Sequence, residues 1–283
     1  MHEERQEWRY YNHAIIPNCA PHETPDLTPV SNGDIWKMIK RFPFFVRYTD
    51  EFDCVGPTEW WYIIKDTPFD INTLKAKRRY EINKGMKYFD VKRINPHDYA
   101  TELYEVQVAA FSAYPEKYRP SVDKDNFISS IGSWDCFAVY GAFFRENDKL
   151  YGYSILKNYS DFYIAFSEQK TIPEYEGYAV NAALVAGILE DNETFLAKGG
   201  YICDGARSIN HETNFQDYLE KYFLFRKAYC KLHIKYNPKI EWLIKVLYPL
   251  KKVLLKFDNI GIIHQVNSVL KMEEIASKQK DRR

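Results

Sequence analysis

The run CFAVYGAFFRENDKLYGYSILKNYSDFYIAFS, Cys136 to Ser167, decides the fold. Three aromatic and β-branched segments, 136–144, 150–157 and 161–167, are separated by the polar runs RENDK and KNYSD. Apolar segments joined by such short turns predict an antiparallel meander of three strands. On the N-terminal side, FDVKRI (89–94) reads as a further strand. It leads into NPHDYATELYEVQVAAFSAY, where Asn95 caps, Pro96 fits the first helical position and Asp98 complements the helix dipole. Tyr99, Leu103, Val106 and Ala110 recur there at helical spacing. A shorter helix is predicted from about Lys124 to Ile131, ending at Gly132.

On the C-terminal side, YAVNAALVAGILE is apolar nearly all round, so this helix belongs against the sheet. Gly199 and Gly200 stop it near Lys198. Next come the strand YICD (201–204), a polar turn, a helix from about Phe215 to Tyr222, and a last strand FRKAYCKLHIKY (225–236). Strands and helices mixed in this order predict an α/β (α+β) fold, a largely antiparallel sheet with helices on both faces.

The densest chemistry lies in YICDGARSINHETN, Tyr201 to Asn214. Asp204, Arg207, Ser208, Asn210, His211 and Asn214 fall together, and Gly205 lets the backbone turn at the strand's end. Polar side chains on a turn at a strand end usually face a cleft. The plainer reading pairs Asp204 with Arg207 locally and makes Asn214 a helix cap.

Composition narrows the function classes. Of 283 residues, 46% are hydrophobic, enough for a full core. Lys plus Arg equals Asp plus Glu at 39 each, so the molecule as a whole does not attract nucleic acid, and DNA is excluded as a partner. Anion binding must be local. The five cysteines are odd in number, widely spaced and without a CxxC pair, which points to a reducing compartment and away from zinc. MHEERQEWRYY lacks the apolar run of a secretion signal. The expected location is cytoplasmic, with peripheral membrane contact left open.

Residues 1–87 read as an N-terminal extension. Pro17, Pro21, Pro25 and Pro29, spaced four apart, rule out a helix in this arm. Phe44–Tyr48 and Glu59–Lys65 read as two strands of one hairpin. Asp70 or Asn72 then caps a helix running to about Lys84, with Gly85 as a left-handed C-terminal residue. Its cations, Arg78, Arg79 and Lys84 among them, form either a solvated face or a wall for an anionic substrate. Residues 238–283 form a C-terminal helical tail. Leu243, Leu247, Leu250, Leu254 and Phe257 make a stripe with Lys245, Lys252 and Lys256 off it, and Pro249 kinks the helix. The stripe either docks on the body or lies at a membrane surface. KMEEIASKQKDRR is expected to fray.

The order of elements from Tyr88 to Tyr236 resembles the GNAT acyltransferase fold. KAKRRYEINKG, and ICDGARS with its following helix and aromatic strand, resemble the Fem-like peptidyltransferase branch and acyltransferases of bacterial surface-polysaccharide biosynthesis. The resemblance implies a GNAT-like domain over 88–237 that transfers an acyl or aminoacyl unit to an amine. Coenzyme A or a charged tRNA would be the donor. It implies that Arg78, Arg79 and Lys84 face an anionic substrate, with Arg207, Ser208 and Asn214 as further substrate-binding residues and Asp204 and Arg207 at the mouth of a split between strands. Two departures stand out. The Gly-rich turn that cradles the pyrophosphate of acyl-CoA is replaced by IPEYEG, whose Glu174 and Glu176 repel one, and the first 87 residues are too short for a complete first Fem lobe.

Acyl transfer to an amine needs a proton acceptor, a polarised carbonyl and a proton for the leaving group. His211 is the preferred base, with Asp204 orienting the amine or acting as the base itself, and Tyr229 as the acid. The expected function is N-acyl transfer to an amino sugar or a lipid-linked or other cell-surface glycan precursor. The alternatives are an aminoacyl-tRNA-dependent transferase and a non-catalytic protein of the same fold that binds a glycan precursor or a protein.

Overall fold

A computed structural model describes residues 7–114, 116, 119–134, 137–209 and 214–280. In chain order the strands and helices begin with β1 (Trp8–Tyr11), β2 (Ala14–Pro17), α1 (Thr28–Asn32), β3 (Phe45–Asp50) and β4 (Trp61–Lys65). Next are α2 (Ala76–Tyr88), β5 (Phe89–Ile94), α3 (Ala100–Ser112), α4 (Lys124–Ile131), β6 (Phe137–Phe144), β7 (Lys149–Ser160) and β8 (Tyr163–Thr171). They continue through α5 (Val180–Asp191), α6 (Glu193–Ala197), β9 (Tyr201–Ala206), α7 (Asn214–Phe223), β10 (Arg226–Tyr229) and β11 (Lys231–Tyr236). The chain ends on α8 (Glu241–Leu247), α9 (Lys251–Leu254) and α10 (Gly261–Lys280). Two compact units are assembled from these elements. One runs from Ile64 to Gly205 and from Phe215 to Arg226; the other takes the chain up to Ile63, Ala206–Asn214 and the chain from Lys227 onward.

In the first unit, β5, β6, β7 and β8 pair antiparallel in sequence order, as the meander predicts. Leu103 and Val106 of α3 and Ile131 of α4 pack with Phe143, Tyr153 and Ile155 on one face of this sheet. On the other face Gly152 lies against Val180 and Leu184 of α5, and Gly187 of α5 lies against Val91. Eight of the twelve residues of α5 are buried, as its all-round apolar sequence requires. Mixed α/β structure with helices on both faces of a largely antiparallel sheet is thus the observed architecture.

Strand β8 carries the feature that shapes the site. Its register with β7 slips between Ile155–Glu168 and Leu156–Phe166, so Ser167 is an extra, bulged residue. Beyond α5 and α6 the chain returns as β9, the parallel partner of β8, but pairing is confined to Tyr163–Tyr201, Ile164–Ile202 and Ala165–Cys203. From Phe166 to Thr171 β8 continues unpaired on that side. A parallel pair that separates after an antiparallel meander, with a helix rising from the split, is a GNAT-like arrangement.

The other unit is built on a sheet of order β1-β2-β3-β11. Trp8, Ile15, Val30, Ile35 and Val46 fill one core. Phe45, Trp60, Cys230 and Leu232 form another with Met272, Ile275 and Ala276 of α10.

Five expectations are corrected. The proline-spaced arm holds the β1–β2 hairpin, turned by Asn12 and His13 at positive φ, and the single-turn helix α1, which tolerates Pro29 because N–H groups in the first turn of a helix have no partner within it. Phe45–Asp50 and Trp61–Lys65 are not one hairpin: β3 runs antiparallel to β11 over six residues, a longer ladder than a hairpin with β4 would offer. The strand foreseen at 225–236 breaks at buried Cys230, whose N–H donates to the Trp60 carbonyl at 3.1 Å. Gly85 lies within α2 rather than at its end. The C-terminal segment is an ordered helix, because Leu270, Met272, Ile275 and Ala276 supply it with a buried face.

Candidate active site

Asp204 is the first residue of β9 beyond the stretch paired with β8, so its backbone stands at the point where the two strands part. It is half-buried, and burial pushes its carboxyl up to about 7, against a smaller opposing effect of a hydrogen bond from Gln216 on α7. Gly205 follows at φ 95°, a conformation that glycine adopts without a Cβ penalty, and releases the chain from the strand. The preceding residue, Cys203, is fully buried with its thiol pushed up to about 12, so it serves the core and not nucleophilic chemistry.

Helix α7 closes one side of this position. Phe215 packs on Phe166, the first β8 residue past the paired stretch, at 5.7 Å between ring centroids. One turn along α7, burial and the nearby Glu81 carboxylate of α2 raise the Tyr218 phenol. Arg78 sits one turn before Glu81 on α2, and Arg79 donates to the Asn72 carbonyl at 3.4 Å. Arg78, Arg79 and Lys84 are all half-buried along this helix, and no carboxylate is within ion-pair distance of them among the described residues.

The unpaired end of β8 carries polar residues that strand reading alone does not single out. Tyr153, wholly buried, places its hydroxyl 2.6 Å from Gln107 Oε1 and 3.0 Å from Glu168 Oε1. A phenol has one proton, so it donates to the Glu168 carboxylate when the Gln107 amide is turned to donate in its place. On the opposite face Ser154, Gln169 and Asn181 form a chain of contacts at 3.0 and 2.8 Å. The signal in the sequence was SEQKT: five polar residues in a row on a strand whose earlier half is apolar. Gln216 carried no such signal.

At the head of α5 the residues do not fit a pyrophosphate cradle. Pro173–Tyr178 form a 3-10 turn with Glu174 and Glu176 in its first turn, and Ala179, at φ 63°, caps the helix without a side-chain bond. The backbone of α2 also presses on this turn: a Cβ on Gly85 would stand 2.5 Å from Ala179 O and 2.8 Å from Ala183 N. Carboxylates before the helix start and a helix crossing its first turn make this an unfavourable cradle for a diphosphate.

Two residues foreseen as site members lie in the other unit, around one indole. Arg207 sets its guanidinium carbon 4.5 Å from the Trp61 ring centroid, and its Nη1 donates to the Glu59 carbonyl at 2.6 Å. Tyr229 meets the same ring edge-on at 6.3 Å, and the Lys227 ammonium lies 4.8 Å from its centre. Ser208 follows Arg207 in this unit and is exposed. His211 and Asn210 lie outside the described residues, and Asn214 heads α7 with only its backbone described. No group of three or more His, Cys, Asp or Glu side chains among the described residues is placed to share a metal ion.

No family model matches this chain. No curated protein matches it either. Solved structures do. L-PGS from Bacillus licheniformis superposes with a TM-score of 0.51 at 11% identity, over 85% of this chain and 83% of that one. The C-terminal domain of a protein classed as a lysylphosphatidylglycerol synthetase, from Agrobacterium fabrum, gives 0.51 at 10% identity over 84% and 82%. A tandem GNAT protein of the clavulanic acid pathway gives 0.43 at 12% identity over 79% and 75%. At such identities these likenesses describe the fold alone.

Proposed function

We propose that this chain transfers an acyl or aminoacyl unit to an amine of an amino sugar or cell-surface glycan precursor, at the split between β8 and β9, with Asp204 as the proton acceptor. The observation that supports it most is positional. A half-buried carboxyl stands where two parallel strands separate in a GNAT-like sheet, tied to Gln216 of α7, whose neighbour Phe215 packs on Phe166. In the reaction the amine nitrogen attacks the acyl carbon, Asp204 accepts the N–H proton, and that proton passes to the donor's sulfur or oxygen as its bond to the acyl carbon breaks. The basic residues of α2, Arg78, Arg79 and Lys84, serve an anionic part of donor or acceptor.

The head of α5 favours an aminoacyl ester over a coenzyme A thioester as donor, since Glu174, Glu176 and the Gly85 contact leave no diphosphate cradle.

The test offers the full chain radiolabelled lysyl-tRNA or acetyl-CoA with glucosamine and a UDP-linked amino sugar as acceptors. Label should move from the tRNA and stay with it in Asp204→Asn. Transfer from acetyl-CoA alone would reverse the donor choice. No transfer from either donor, with no thermal shift on adding them, would leave a binding protein of this fold and overturn the reading.

A further inference from the structure

The segment from Glu241 to Ile262 shows more apolar surface than its packing uses. Ile244, Leu247, Tyr248 and Leu254 are the half-buried residues of its docked side, and Lys251, 3.7 Å from Glu274 of α10, is anchored with them. A second set points away. Trp242 is 62% exposed, Val246 55%, Leu250 48%, Val253 54% and Phe257 49%. They recur every three or four residues along α8, a 3-10 turn through Pro249, α9 and a second 3-10 turn, and Leu255 and Ile260 are exposed beside them. Ile262 follows at 76%. A monomer gains nothing by keeping such a stripe in water, and contiguous exposed apolar patches mark contact sites.

Charge identifies the occupant. Between Lys239 and Ile262 five lysines face two carboxylates, Glu241 and Asp258, in a chain whose net charge is zero. Glu241 is held by Lys245 at 2.8 Å, and Asp258 accepts from Asn267 at 2.7 Å. Lys252 and Lys256, interleaved with Val253, Leu255 and Phe257, are exposed and have no ion-pair partner among the described residues. A second copy of this chain would bring like charges together along the same stripe, whereas an anionic lipid surface complements them. The Trp242 N–H donates to the Lys239 carbonyl at 3.1 Å, so the exposed ring carries no unmet donor into an apolar layer. No helix among the described residues is long and apolar enough to cross a membrane. Short amphipathic helices of this kind suit a membrane surface and not its interior.

We infer that residues 241–262 form an amphipathic docking face for an anionic bilayer, with Trp242, Val246, Leu250, Val253, Phe257 and Ile262 at the acyl boundary and Lys252 and Lys256 at the headgroups. The inference stands independently of the transferase reading.

The test is co-sedimentation of the full chain with sucrose-loaded vesicles of phosphatidylcholine alone or with 30% phosphatidylglycerol. Binding should need the anionic lipid and weaken at high salt. Lys252→Ala with Lys256→Ala should lower the partition coefficient by about twenty-five-fold, about fivefold for each lysine near the surface. Trp242→Glu with Val253→Glu should abolish binding with the melting temperature unchanged. Equal binding to both vesicle types, or to neither, would overturn the inference. So would a dimer in light scattering that the Trp242→Glu, Val253→Glu variant converts to monomer, since the stripe would then belong to a second copy.

Discussion

Gly85 of α2 meets the carbonyl of Ala179 so closely that a single added carbon would stand 2.5 Å from the oxygen. The obstacles are the Ala179 oxygen and the Ala183 nitrogen, both backbone atoms on the first turn of a buried helix, so neither can yield as a side chain tip would. Gly85→Ala should destabilise the protein by roughly 2–3 kcal/mol, the usual cost of overpacking where backbone must shift, although alanine is the better helix former. The control is Gly177→Ala, where an added carbon meets nothing within 4 Å. Denaturant midpoints compare the two, and a Gly85→Ala variant as stable as the wild type would show that the two helices do not cross this closely.

Asp204 predicts an unusual pH response. Its carboxyl, pushed up to about 7, binds a proton in the folded chain that the unfolded chain has already lost above about 4. Stability contributed by this group is therefore complete at low pH, declines as pH rises from about 4 to about 7, and stays low above that. Asp204→Asn removes the ionisation and should raise stability above pH 7 by at most on the order of 4 kcal/mol, with little effect near pH 4. If Asp204 is the proton acceptor, transfer by the wild type should rise with pH through the same range. Unfolding curves at pH 4.5 and 8 check the first claim, and a variant less stable than wild type at pH 8 would refute it.

The tail divides into two parts with opposite expectations. Ile275 is wholly buried among Phe45, Trp60, Leu232 and Met272. Ile275→Ala should cost about 2–5 kcal/mol, the range for truncating a core aliphatic residue. Trp242→Ala, in an exposed position, should change stability by less than about 0.5 kcal/mol. Thermal melts of both variants in plain buffer decide the matter.

How far such features could be read from the sequence depended on whether their cause was local. The meander, the helix from Lys124 to Ile131 and the buried helix α5 were legible because turn residues, Gly132 as a stop and the run AALVAGIL act within a few residues of themselves. The partner of β3 was not, since nothing near Phe45 specifies Lys231–Tyr236. Gly85 misled for the same reason. A glycine near the end of a basic helix reads as a stop, and only the approach of α5 gives it another use. Asp204 was legible as a polar residue at a strand end, but the effects that set its ionisation, burial and Gln216, come from a helix twelve residues further on. The members of the polar turn divide between the two units at Gly205 and Ala206, a boundary that no composition shift announces.

Arg207 allows a structural duty to be separated from a functional one. Its guanidinium covers the face of Trp61 while Nη1 reaches the Glu59 carbonyl at 2.6 Å, and its own N–H donates to the Trp61 carbonyl at 2.8 Å. The backbone bond survives any substitution other than proline, but making the other two at once, a face over Trp61 and an N–H to Glu59, suits the flat, forked guanidinium better than the point charge of a lysine. Arg207→Lys keeps the charge and loses the fork, so it should cost about 1–2 kcal/mol, close to the loss in Arg207→Ala. Both variants should also release Trp61, visible as a change in near-UV circular dichroism. If transfer falls in proportion to the folded fraction alone, Arg207 holds the Glu59–Trp61 stretch and nothing more. If Arg207→Lys melts with the wild type yet transfers nothing, the guanidinium is engaged with substrate, and its contact with Trp61 is the resting position of a ligand-binding group.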